Sequence, residues 1–292
     1  MELTQSWARV IPSGLQDRYE FIETRNAAAV VQASHPTEFQ EVLDVLAAFR
    51  FDLDRILRSG GSKHLIAREL DEAFREFGWR EARYEQELST RLVIRPYKSA
   101  GERRVEIRES KNEYGGHLID NVKGRIGLDV EWNPKDGNLD RDFANFRALY
   151  NGGALDAGIL IVRKQEGMRQ LWIDVIARAK KLLNSSDPVE WQERVKKIAD
   201  DPLGTSTTSN FEKLRPRMER GDGGGCPVLA IAITDRSYDR PADLDEAIKR
   251  LVLDVGRGVE TVCLAQRMGL MTDNMLDQIS HEIYLAYDAP CD

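Results

Sequence analysis

HLIDNVKGRIGLDVEWNPKDGNLD, residues 117–140, is the stretch whose reading decides the fold. Alternating sides along GLDVEWN sends Leu128, Val130 and Trp132 one way and Asp129, Glu131 and Asn133 the other. That two-residue period is the period of a β-strand, apolar on one face and polar on the other. HLIDN ahead of it patterns as a second strand, with KGR as the turn between them. Pairing through that turn brings Asp120 to the polar stripe, so three carboxylates converge on a small volume. Like charges so placed repel and raise one another's pKa unless a cation sits among them. Few oxygen ligands with room for water suit Mg²⁺ better than zinc. Acidic residues alternating on a strand are also commonly no more than its solvated face. What weighs against that here is the apolar opposite face and the polar density of the following NPKDGNLDRD.

Working outward, strand signals cluster at RLVIRPY (91–97), RRVEIRE (103–109), GHLIDN (116–121) and RIGLDVEWN (125–133). Gly101, Gly115, Gly116 and Gly124 separate them, which predicts antiparallel neighbours. DRDFANFRALY (140–150) reads as a helix with Phe143, Phe146, Leu149 and Tyr150 inward, and AGILIVR (157–163) as a strand buried on both faces. Helices follow around 169–183 and 188–199, then a polar loop at 201–209, a basic helix at 210–220, a GDGGG turn and the apolar strand PVLAIAIT (227–234). Upstream, RYEFIET (18–24) reads as a strand. TEFQEVLDVLAAF reads as a helix with Thr37 and Gln40 in capping-box spacing, and Phe39, Val42, Leu43, Leu46 and Phe49 on one stripe. After SGGSK, HLIARELDEAFREFGW gives another helix with Leu65, Leu70, Phe74 and Phe77 apolar. This order predicts an α/β fold, a central mixed β-sheet flanked by helices, in a single domain over 1–292. Within it we distinguish an N-terminal helical part (1–89), a core (90–235) and a helical C-terminal extension (241–292).

The 292 residues carry 42 basic and 49 acidic side chains, a net charge of −7, which argues against a polycation that coats nucleic acid but leaves room for a local basic cleft. Cys226, Cys263 and Cys291 are odd in number and lack CxxC spacing, as in a reduced, cytoplasmic protein. With four dispersed histidines they supply no zinc site. No signal-peptide core opens the sequence, and no apolar run is long enough for a membrane span.

The run IDNVKGRIGLDVEWNPKDGNLDRDFANFRALYNGGALDAGILIVR resembles the core of BamHI- and BglII-like type II restriction endonucleases, within the PD-(D/E)XK nuclease superfamily. GGSKHLIARELDEAFREFGWRE upstream and TTSNFEKLRPRMERGDGGGCPVLAIAIT downstream are similar to that group as well, so the likeness spans about residues 20–235. The resemblance implies a restriction-endonuclease-like fold and hydrolysis of double-stranded DNA phosphodiesters at a short palindrome. It also implies a homodimer that uses Mg²⁺, with Mn²⁺ as a substitute. The first motif carboxylate falls on Asp120. The second and third fall on Asp129 and Glu131, an acid replacing the usual lysine, or on Glu131 and Asn133, with an amide in that place. The first register leaves Asp120, Asp129 and Glu131 as metal ligands and catalytic groups, with Asn133 alongside. Neither register supplies the lysine, and Lys135 lies beyond a strand-ending Pro134. A water assisted by Glu131 is the expected base chemistry, and Glu69 or Glu72 on the preceding helix is a candidate fourth carboxylate.

For DNA contacts the segment TSTTSNFEKLRPRMER offers Asn210, Arg215, Arg217 and Arg220, whose chemistry suits adenine and guanine edges. Such a basic helix is also commonly a plain solvated face, and Pro216 leaves open which of its arginines point together. Asn138 is a further DNA candidate or a turn builder. GDGGG is not followed by GK[ST], so it is no nucleotide-binding loop. Two rival readings are a nuclease of the same superfamily in repair or modification-dependent restriction, and a DNA-binding protein without catalysis.

Overall fold

The computed structural model describes residues 1–57, 65–132, 135, 137–182, 192, 195–196, 203 and 208–251. Six strands, β1 (Tyr19–Thr24), β2 (Arg80–Ile94), β3 (Glu106–Lys123), β4 (Ile126–Glu131), β5 (Ala157–Arg163) and β6 (Val228–Ile233), form one sheet in the order β1-β6-β5-β4-β3-β2. β4, β5 and β6 run parallel, while β1 and the β3–β2 pair join antiparallel at either side, so the sheet is mixed as expected. Parallel strands need crossovers that cover both faces, which is why β5 and β6 are apolar throughout and wholly buried.

Helices α1 (Trp7–Val10), α2 (Ser13–Gln16), α3 (Ala27–Ser34), α4 (Pro36–Ala48), α5 (Leu53–Leu57), α6 (Leu65–Glu76), α7 (Gly137–Asn151), α8 (Met168–Leu182) and α9 (Phe211–Arg220) flank it. Leu128, Val130 and Trp132 of the β4 strip face one apolar cluster with α4, α6 and α8. The other face packs Leu160, Val162 and Ala230 against Phe143, Phe146 and Leu149 of α7 and against Leu214 and Met218 of α9. Each such side chain, fully buried, contributes about 1.5–3 kcal/mol. The expected stripe of α4 is buried from Phe39 to Phe49. Its start differs: the helix begins at Pro36 after His35, without a side-chain cap, because proline at the first position is already set for a helix. Gln40 accordingly donates to Asp44 Oδ1 at 2.8 Å rather than closing a box with Thr37. Tyr150, expected inward, is a surface residue at the end of α7, and Phe77, just past α6, is exposed as well.

The largest departure is in the strands before Asp120. RRVEIRE and GHLIDN are not separate strands but parts of β3, which pairs along β2 in one long hairpin starting at Arg80. Gly115 and Gly116 lie inside β3 instead of at a turn. A Cβ on Gly116 would meet the Tyr84 carbonyl oxygen at 2.5 Å, so glycine there permits close approach of β2, not a reversal. The expected division near residue 90 therefore falls inside β2, and β1 from the N-terminal part forms the far edge of the same sheet. The expected helix at 188–199, most of the loop at 201–209 and the extension beyond 251 lie outside the described residues, although a helix begins at 244. Among the described residues no helix is long and apolar enough to cross a membrane.

One buried charge fixes the approach to α9. Arg163 ends β5 fully buried and donates to the Leu203 carbonyl at 2.7 Å and to Thr208 Oγ1 at 3.3 Å. A buried guanidinium is tolerable only when its donors are used in this way. The bonds hold the chain just ahead of α9 against the sheet.

Candidate active site

Asp120 reaches the site through an irregularity in β3. Between Arg80 and Ala82, two steps of β2, the partner strand advances three residues, from Val122 to Ile119. An extra residue of this kind is a bulge, which bends the strand and re-aims a side chain. The regular β3–β4 register runs from Lys123↔Ile126 to Asn121↔Leu128. At the next position side chains take over from the ladder. The Asp120 N–H donates to Asp129 Oδ1 at 2.8 Å, and the Val130 N–H donates to Asp120 Oδ2 at 3.3 Å.

β4 then delivers its alternation as read: Leu128 and Val130 enter the first cluster, and Asp129 and Glu131 occupy the opposite face. Asp129 is only 3% exposed. Burial, followed by the charge of Asp120 and that of Glu131, drives its carboxyl well above the ordinary range. Glu131 is pushed up to about 7, first by burial and then by Asp120, with a hydrogen bond to Asp142 and the nearby Arg141 pulling the other way. The structure thus brings Asp120, Asp129 and Glu131 together on one side of the sheet. Asn133 lies outside the described residues. Lys135 is exposed, and its backbone bridges to Thr208.

Two acidic residues of this neighbourhood escaped the sequence reading. Asp142, on the second turn of α7, shares a hydrogen bond with Glu131, and burial plus the charges of Asp129 and Glu131 push it up to about 10. Asp71 on α6 is fully buried and accepts from Asn121 Nδ2 at 2.7 Å, and its charge also acts on Asp129 and Glu131. Glu69 and Glu72, the candidates named on that helix, turn elsewhere: Glu69 binds Arg55 at 2.9 Å, and Glu72 pairs with Arg68 at 3.7 Å. The missed signal was phase. Asp71 follows Ala67 by four and precedes Phe74 by three, on the buried stripe, whereas Glu69 and Glu72 do not share it. Asp142 likewise stands one turn from Leu139 and Phe146 on the inward side of α7.

The residues fit a hard divalent cation. Among the described residues Asp129 Oδ2 and Asp142 Oδ2 are buried oxygens with no hydrogen-bond partner, and the carboxylates raise one another by repulsion. Among the described residues no three acidic side chains close a cage by themselves. In sites for hard divalent cations, one or two carboxylates commonly share the ion with waters and substrate phosphates.

On α9 the candidate DNA residues separate. Asn210, 4% exposed, caps the helix, its Oδ1 accepting from the Lys213 N–H at 2.9 Å. Arg217 donates to both oxygens of Asp140 at 2.7 and 3.0 Å, tying α9 to the first turn of α7. Arg220 pairs with Asp222 at 2.6 Å, and Arg215 is exposed with its guanidinium over the Phe211 ring. Asn138 lies in the first turn of α7, and its Oδ1 accepts from Arg141 three residues on.

A mixed sheet with helices on both faces, and carboxylates gathered where two of its strands part, defines a restriction-endonuclease-like α/β protein. The chain matches the family described as restriction endonuclease BglII/BglIII over residues 19–233, and it belongs to that family. It is accordingly a type II restriction endonuclease, a site-specific deoxyribonuclease acting on double-stranded DNA. Among curated proteins nothing matches the chain.

Proposed function

We propose that the protein cuts DNA at a short palindrome as a cytoplasmic homodimer dependent on Mg²⁺, with Mn²⁺ able to replace it, through Asp120, Asp129 and Glu131. The whole chain would act as one endonuclease domain. The observation that carries this reading is the burial of Asp129 and Glu131 beside Asp120, where the carboxylates raise one another and Arg141 only partly offsets them at Glu131. A binding protein without catalysis gains nothing from carboxylates aimed at phosphates.

Asp120 and Asp129 would hold the cation, in the register where Asp129 and Glu131 fill the second and third motif positions. When bound, the ion supplies Lewis acidity toward the phosphoryl oxygens and the attacking water. Glu131, poised near neutrality, accepts the proton of that water, since a base works best when its pKa lies close to the working pH. Asp142 holds the Glu131 carboxyl in place from α7. Asn133 would stand beside these groups. Arg215 and Arg220 would be the α9 groups that meet DNA, while Asn210, Arg217 and Asn138 make bonds within the fold.

Glu131→Ala tests the reading. The variant should lose cleavage with Mg²⁺ yet bind DNA with Ca²⁺ as the only divalent cation. Cutting at the wild-type rate would remove Glu131 from the chemistry. Discrete bands from plasmid DNA support a fixed target, whereas a smear would favour a nuclease of repair or modification-dependent restriction.

A further inference from the structure

Past Gln86, whose amide donates to the Ala148 carbonyl of α7 at 3.4 Å, the β2–β3 hairpin leaves the body of the protein. Every residue from Glu87 to Arg95 is exposed, as is the returning stretch from Tyr97 to Glu113. Gln86 to Ile94 is eight strand steps, so the ribbon reaches roughly 27 Å beyond its last support. Leu88, Leu92 and Ile94 continue the alternation of Tyr84 and Gln86, the residues of β2 that turn toward α7 and hence toward the carboxylate face. Leu92 is 52% exposed and Tyr97, at the tip, 66%.

The charge is as uneven as the shape. Residues 91–108 hold six basic side chains (Arg91, Arg95, Lys98, Arg103, Arg104, Arg108) and two acidic ones (Glu102, Glu106), a balance of +4 in a chain whose net charge is −7. Arg91 pairs with Glu109 and Arg108 with Glu106. Among the described residues no ion pair holds Arg95, Lys98, Arg103 or Arg104, which surround the turn. Two such tips facing each other would repel, so a second copy of the chain is the wrong occupant. A polyanion is the right one.

We propose that this ribbon is a second DNA-binding element, its tip gripping backbone phosphates of the duplex outside the segment that is cut. It rests on the reading of the chain as a DNA endonuclease and deepens it. Phosphates recur every 3.4 Å along each strand, so the free length of the ribbon matches about eight base pairs. The ribbon meets phosphates first, so it adds affinity and orientation, not a read sequence.

The test replaces Arg95, Lys98, Arg103 and Arg104 together by serine in the full-length chain. Binding is measured against salt, with Ca²⁺ as the only divalent cation, on a duplex of about 40 base pairs and on one of about 10. Each phosphate that is no longer neutralised lowers the slope of log K against log salt by about 0.9, so on the long duplex the slope should fall by about 3–4 and binding weaken at least tenfold. The short duplex should change much less, and cutting of a short duplex should stay within twofold of wild type. Equal slopes for variant and wild type on the long duplex would overturn the proposal. So would equal weakening on both duplexes, or a changed oligomeric state in sedimentation with the slope unaltered. Phosphate binding needs no particular sequence, so the result is readable even if Glu131 proves not to be the base.

Discussion

At Glu131 the geometry is set by a residue eleven positions further on. The carboxyl of Asp142 bonds that of Glu131, and burial with the charges of Asp129 and Glu131 keeps it raised to about 10. Asp142→Ala removes a support without touching the strand, and supports of this kind are worth about 10–100-fold in activity. The single-turnover cleavage rate should fall by that factor while DNA affinity in Ca²⁺ stays put. Asp142→Asn, which keeps a hydrogen-bonding group, should fall between. A wild-type rate for the alanine variant would count against any role for α7 in the site. The strand carboxylates were legible in the sequence because their pattern is local: a two-residue alternation needs only the neighbours along GLDVEWN. Asp71 and Asp142 were legible only as acids in the buried phase of a helix, and nothing local says that α6 and α7 converge on β4. The capping role of Asn210 was hidden for the same reason, since helix start and groove contact ask for the same side chain.

β3 brings Asp120 to the site as part of one long, twice-irregular strand, and this was hidden in the sequence. Glycine usually punctuates strands, so GG at 115–116 looked like a turn. In the folded chain the second register shift, between Arg83 and Glu85, spans Gly115–Leu118 and keeps β2 close where a side chain would collide. β4, β5 and β6, by contrast, were plain from their apolar runs. Gly116→Ala forces a Cβ against the Tyr84 carbonyl, backbone that has no flexible end to yield. Overpacking of this type costs about 1–3 kcal/mol. The urea midpoint should drop accordingly. Cleavage should drop further than stability explains, because Asp120 lies four residues along the displaced strand. Stability lost with cleavage intact would show that the hairpin and the site move independently.

For the molecule as a whole, two sets of carboxylates pull stability in opposite directions with pH. Asp140 and Asp156 are held below the usual range, first by their hydrogen bonds to Arg217 and Arg125. They stabilise the folded state above the unfolded carboxylate pKa, and that contribution is lost as pH falls through their folded values. Both are surface pairs, so their share is small. Glu131 and Asp142 act with the other sign. Raised from 4.5 to about 7 and from 3.8 to about 10, they bind protons in the folded state that the unfolded chain has released. Their contribution is intact in acid and is lost as pH rises, for Glu131 between about 4.5 and 7. Without divalent cations the protein should therefore be most stable in mild acid and lose Tm steadily toward pH 8. Each kcal/mol lost lowers Tm by about 2–4 °C in a chain of this size. Glu131→Gln, neutral at every pH, should flatten the alkaline limb and exceed wild type at pH 8. A cation binding only the folded, ionised cluster adds RT ln(1 + [ion]/Kd), so Ca²⁺ should raise Tm at pH 8 and do little at pH 5, and the glutamine variant, which keeps Asp120 and Asp129, should still gain at pH 8. Calorimetric scans of both proteins across that range, with and without Ca²⁺, check all four limbs. A wild-type Tm that climbs from pH 5 to 8 without the ion would mean that the cluster is not strained by its own charge.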